Sequence, residues 1–135
     1  MDAALERDVR RRAKESCEYC QIAQAFYRQR FPIDHIIARQ HGGLTAADNL
    51  ALCCPSCNRF KGPNIAGIDP TTGEMAGLFN PRRDPWNEHF EWHGPKLLGL
   101  TPIGRATVAV LNMNHSRYVT VRKALIAEGV FPPLR

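Results

Sequence analysis

The chain has 135 residues, 44% hydrophobic and 23% charged, which suits one domain with an extension rather than two full domains. No apolar run approaches the roughly 20 residues of a membrane helix, and the charged start MDAALERDVRRRAK lacks the apolar stretch of an export signal, so a cytoplasmic protein with no membrane partner is expected. Eighteen Lys+Arg against thirteen Asp+Glu give a net charge of +5, which favours an anionic partner such as nucleic acid without excluding others.

In chain order, Leu5, Val9 and Ala13 recur at four-residue spacing among arginines and predict a helix over residues 2–16. Cys17-Glu18-Tyr19-Cys20 ends it, and a short helical stretch is expected at 22–27. Phe31, Ile33, Ile36 and Ile37 mark a strand within 30–38, and Gly42-Gly43 forces a loop. Residues 49–53 (NLALC) read as a second strand. Pro55 opens a helix over 56–61 that stops at Gly62-Pro63. Residues 65–79 read as a hairpin turning at 69–73. The mixed segment 80–91 and a strand at 96–100 follow. Thr101-Pro102 starts a helix reaching about residue 112, and a last helix over 116–128 ends at Gly129. The expected class is α+β, dividing into a cysteine-bearing module, 1–63, and an α+β extension, 64–135, that buttresses it.

The cysteines are the most informative residues. Cys17, Cys20, Cys54 and Cys57 form two C-x-x-C pairs separated by 33 residues, while Cys53 stands outside the register. Two such pairs supply the four thiolates of a closed tetrahedral zinc site. An odd cysteine count without an export signal argues against a disulfide framework. A closed site leaves zinc no open position for substrate, so this zinc is expected to be structural, and Cys53 a small core residue. The 33-residue insert is long for a simple zinc ribbon, so something is held between the pairs.

The insert carries Asp34-His35, Gly42-Gly43 and Asn49-Leu50, and Asn58 and Lys61 follow the second pair. Histidine titrates near neutral pH, which makes His35 the candidate general base for activating water. Asp34 and Asn58 offer hard oxygen ligands that suit Mg²⁺ or Mn²⁺. Lys61 lies three residues after Asn58, on the same helical face, and is a candidate phosphate contact. Each residue also has a plainer reading: His35 as a polar surface or core residue, Asn49 as the end of a turn, Asn58 as a helix cap. Their combination inside the cysteine frame favours the catalytic reading. Adjacent strand residues point to opposite faces, so Asp34 and His35 share a site only if the strand ends or bends there.

The stretch CEYC…PIDHIIARQHGG…DNLALCCPSCNRFKG resembles the zinc-bearing HNH endonuclease family, with Asn58 in place of the last histidine, a variant the family also uses. The resemblance covers residues 17–62. It implies a ββα-metal fold, with Asn49 orienting His35 by hydrogen bonding. It also implies metal-dependent hydrolysis of DNA, leaving 5′-phosphate and 3′-hydroxyl ends. The alternatives are a noncatalytic zinc-stabilised nucleic-acid-binding module and a protein-interaction module.

Other basic residues are candidate nucleic-acid contacts. Arg39 touches phosphate or is simply solvated, and His41 is a loop residue near the substrate. Arg82 and Arg83 precede Trp86, His89, Trp92 and His93, a segment that clamps nucleic acid or, as the favoured reading, forms an aromatic mini-core. A metal site at His89 and His93 lacks completing ligands.

Overall fold

A computed structural model of the chain describes residues 1–133 as a mixed α+β protein of short antiparallel strand pairs and helices. Two compact units divide it, residues 1–65 with 80–83, and residues 66–79 with 84–135. No helix of the described residues is long and apolar enough to cross a membrane.

The first unit begins with α1, Ala3–Arg12. The Asp2 side chain accepts from the Leu5 amide as N-cap, and Arg10, Arg11 and Arg12 crowd the last turn, where the helix dipole favours cations. The helix stops short of the predicted residue 16. Lys14 and Glu15 take left-handed backbone conformations, with φ of 55° and 54°, and turn the chain toward the first cysteine pair. Two arginines tie α1 down. Buried Arg10 donates to the Phe31 carbonyl at 2.8 Å, and Arg12 donates to the Ala47 and Leu50 carbonyls at 2.8 and 2.7 Å. The expected helix at 22–27 is a single 3₁₀ turn, Gln24–Phe26.

Strands β1, Ile33–His35, and β2, Leu50–Leu52, pair antiparallel, with Asp34 opposite Ala51 and His35 opposite Leu50. All three residues of β2 are buried. Helix α2, Pro55–Lys61, follows directly. The Cys54 sulfur caps it by accepting from the Cys57 amide, and Gly62, at φ 50°, ends it. The second cysteine pair is thus the entry of a helix, in the order β, β, α.

The second unit opens with a hairpin of β3, Ala66–Ile68, and β4, Met75–Gly77. Asp69 holds its turn by accepting from the Thr71 amide and the Thr72 hydroxyl, and receives a bidentate pair of 2.9 Å hydrogen bonds from Arg105. Then come α3, Trp86–His89, and a second hairpin of β5, Phe90–His93, and β6, Lys96–Gly99. Helix α4, Pro102–Val110, is capped by the Thr101 hydroxyl and packs on β3, β4 and β6; α5, Ser116–Ala127, closes the unit. Strand β5 was not read from the mixed segment: Phe90, Glu91, Trp92 and His93 do alternate apolar and polar, but four residues directly after a helical turn are too short a run to stand out.

The aromatic mini-core reading of this segment fits the structure. Trp86 lies 5.1 Å from Phe90 and 6.0 Å from Trp92, ring centre to ring centre, and Trp92 lies 5.0 Å from Phe131 under the Arg122 guanidinium. His89 and His93 engage different partners, Thr101 and Glu91, and form no pair.

Candidate active site

The four sulfurs of Cys17, Cys20, Cys54 and Cys57 lie within 4.8 Å of one another, and all four residues are buried. A zinc tetrahedron with bonds of about 2.3 Å has sulfur–sulfur edges of roughly 3.8 Å. The Cys20–Cys54 separation is 3.7 Å, so the cluster is already sized for that ion. Burial raises the Cys17 thiol, but hydrogen bonds from the surrounding cysteines outweigh it and hold Cys17 well below the ordinary thiol value. Cys20 and Cys57, sharing protons with neighbouring sulfurs, are raised well above it. Cys17 favours the thiolate while Cys20 and Cys57 resist ionising, the pattern expected of a ligand set that needs a divalent cation to release its protons. Cys53 is also fully buried, and burial pushes its thiol well up.

The two residues inside the first pair reach away from the sulfurs. Glu18 binds β2 twice, its amide donating to the Leu52 carbonyl and its carboxylate accepting from the Leu52 amide, each at 2.9 Å. Its other oxygen pairs with Arg82. Tyr19, fully buried, donates its hydroxyl to Asp34 Oδ2 at 2.8 Å. Burial and the Asp34 charge push the Tyr19 phenol well above its ordinary value, so it remains a donor.

Asp34, His35 and Asn58 line one cleft of about 340 Å³ with Ile33, Ala38, Arg39 and Gly62. The neighbours on β1 reach it because the strand ends at His35. Asp34 lies on the buried side, and His35 on the more open side, where its Nε2 is 2.8 Å from the Thr45 hydroxyl. Burial pushes the Asp34 carboxyl above its ordinary value, against the opposing pull of Lys61 and the Tyr19 hydrogen bond. Asn58 sits in the first turn after the cysteine cap, and its side chain makes no hydrogen bond among the described residues. A carboxylate and an amide oxygen on one cleft wall are the donor types that Mg²⁺ and Mn²⁺ accept.

Asn49 acts on the loop rather than on the histidine. Its Oδ1 accepts from the Ile37 amide, and its Nδ2 donates to the Ile37 and Leu44 carbonyls, at 2.9, 3.0 and 2.9 Å. The expected direct bond to His35 is replaced by a clamp on the loop that carries Thr45. Gly43 belongs to the same clamp, because a Cβ there would sit 1.7 Å from the Ile37 carbonyl oxygen.

Two expected phosphate contacts are corrected. Lys61 is 1% exposed, and its ammonium is spent on Asp34 and on the His35 and Ile36 carbonyls. Helical spacing identified its face but not that this face is covered. Arg82 is drawn into its ion pair with Glu18, a partner 64 residues away in sequence. Arg39 lines the cleft and is exposed, Arg83 is exposed, and exposed His41 lies outside the cleft lining. Tyr19 and Thr45 are the contributors that sequence reasoning missed; nothing in their spacing distinguishes them from a core aromatic and a loop threonine.

This geometry coincides with a family match. Residues 17–64 match the family model HNH endonuclease. The matched HNH segment covers a little over a third of the chain and contains the whole four-cysteine cluster, consistent with the zinc-bearing type. It supports a nuclease-type function and a nucleic-acid substrate in general terms. No curated protein and no solved structure matches the chain.

Proposed function

We propose that the HNH segment is a metal-dependent endonuclease that hydrolyses DNA phosphodiester bonds, with a structural zinc in the four-cysteine cluster. The observation that carries this reading is the cleft that Asp34, His35 and Asn58 line together within the family match. His35 is the general base. With Nε2 engaged by Thr45, Nδ1 is left to take a proton from the attacking water. Water oxygen bonds to phosphorus, the bond from phosphorus to the 3′ oxygen breaks, and that oxygen leaves with a proton from solvent. The products carry 5′-phosphate and 3′-hydroxyl ends. Asp34 and Asn58 hold Mg²⁺ or Mn²⁺, which supplies charge stabilisation at the scissile phosphate when bound. Asn49 and Gly43 fix the loop that presents Thr45 to His35, and Arg39, on the cleft wall, and Arg83 are the remaining candidates for backbone phosphates.

Plasmid nicking with Mg²⁺ or Mn²⁺ tests the reading. Wild-type protein should convert supercoiled DNA to nicked or linear forms, EDTA should stop it, and His35→Ala should abolish cleavage while zinc content and DNA binding persist. Undiminished cleavage by His35→Ala would remove the base assignment. DNA binding by a wild-type protein that never cleaves would favour the noncatalytic nucleic-acid-binding module.

A further inference from the structure

The Asp34 carboxylate is gripped from two sides. The Tyr19 hydroxyl donates to Oδ2 at 2.8 Å, and Lys61 Nζ lies 3.1 Å from Oδ2 and 3.3 Å from Oδ1. Each donor is attached to one half of the sulfur cluster. Tyr19 sits between Cys17 and Cys20, and Lys61 is on α2, whose entry carries Cys54 and Cys57. A carboxylate has about four acceptor positions. Oδ2 accepts from Tyr19 with the Lys61 ammonium beside it, and Oδ1 accepts from Lys61 and keeps one position. Phenylalanine would fill the same fully buried space without bringing a hydroxyl out of water, so packing alone does not call for tyrosine here.

We propose that Tyr19 is a positioning residue that holds Asp34 so that its remaining acceptor position is presented to the cleft shared with Asn58, coupling the four-cysteine centre to the cation site. This rests on the reading of Asp34 and Asn58 as ligands of a divalent ion. Folding around the sulfurs then sets more than stability, because the chain between two of them also sets the orientation of a catalytic carboxylate. Groups that orient a metal ligand through a hydrogen bond commonly change metal affinity or activity by about 10–100-fold when removed.

Tyr19→Phe in the zinc-loaded full chain tests this, with Mn²⁺ as the probe. Free Mn²⁺ is measured by electron paramagnetic resonance during a titration, beside zinc content, thermal melting and the Mn²⁺ dependence of plasmid nicking. The expected result is retained zinc and fold, a Mn²⁺ dissociation constant raised about 10–100-fold, and nicking that recovers toward wild type at saturating Mn²⁺. Mn²⁺ binding within twofold of wild type would overturn the proposal. Loss of zinc or of the fold would also overturn it, by giving Tyr19 a purely structural part. Asp34→Ala and Asn58→Ala serve as references. If wild-type protein binds no Mn²⁺, or both references bind it normally, the cation-site reading itself fails, and that failure is distinguishable from a wrong role for Tyr19.

Discussion

Gly43→Ala should damage the candidate site through the backbone alone. A Cβ at this position would stand 1.7 Å from the Ile37 carbonyl oxygen and 2.8 Å from Asn49 Nδ2. Ordinary contact begins near 3.4 Å, so the loop must open by roughly 1.7 Å. That movement strains or breaks three Asn49 hydrogen bonds, two to Ile37 and one to Leu44. At about 1 kcal/mol each, the loss approaches about 3 kcal/mol. For a unit this small, each kcal/mol lowers the melting temperature by roughly 4–8 °C, so a fall of about 10–25 °C is expected. Thr45 rides on the same loop, and misplacing the group that orients His35 by about 1 Å should slow cleavage about 100-fold. Gly42→Ala is the control. Its Cβ would meet nothing within 4 Å, and only its φ of 90° resists substitution. That strain costs about 1–2 kcal/mol, so the control should melt higher and cleave faster than Gly43→Ala. Calorimetry and initial nicking rates check both. Equal effects from the two substitutions, or an unchanged Gly43→Ala protein, would refute the close-approach argument.

Three further outcomes follow from the packing. Cys54→Ser should lower zinc content, measured by mass spectrometry of the purified protein, while Cys53→Ser should retain it; the reverse would reassign the fourth ligand. Lys61→Met should destabilise the first unit by about 3–5 kcal/mol, because it leaves Asp34 buried without its cation. Losing Lys61 raises the Asp34 carboxyl further above its unfolded value, so the chemical-denaturation deficit should be largest at high pH and shrink as the pH falls, as ionising Asp34 becomes unnecessary. Arg105→Ala should lower the melting temperature of the second unit, followed by Trp86 and Trp92 fluorescence. Arg105 holds the Asp69 carboxyl well below its ordinary value, so this stabilisation is present above about pH 4 and the gap between variant and wild type should narrow as pH falls below it.

What the sequence revealed and what it hid have physical reasons. The cysteine frame was legible because tetrahedral ligation demands short fixed spacings. Asp34, His35 and Asn58 were legible as a group because they sit at fixed places within that frame. Strand and helix limits came within a few residues where caps mark them, as at Thr101 and Gly62. The end of α1 was hidden, because left-handed Lys14 and Glu15 look like ordinary helix formers. The contributions of Lys61 and Arg82 were misread for a different reason. Local spacing predicts neighbours along the chain, whereas burial and a partner such as Glu18 come from tertiary contact. For the same reason residues 80–83, distant in sequence, group with the first unit.

The central claim is that Asp34 and Asn58 hold a divalent ion beside His35. Anomalous diffraction at the manganese edge from crystals soaked in Mn²⁺ tests it most directly. The account predicts a peak in the cleft, within about 2.5 Å of an Asp34 and an Asn58 side-chain oxygen, with the His35 ring one water molecule away. A Mn²⁺-soaked crystal with no peak there, or with the ion ligated only by residues outside the cleft, would contradict it.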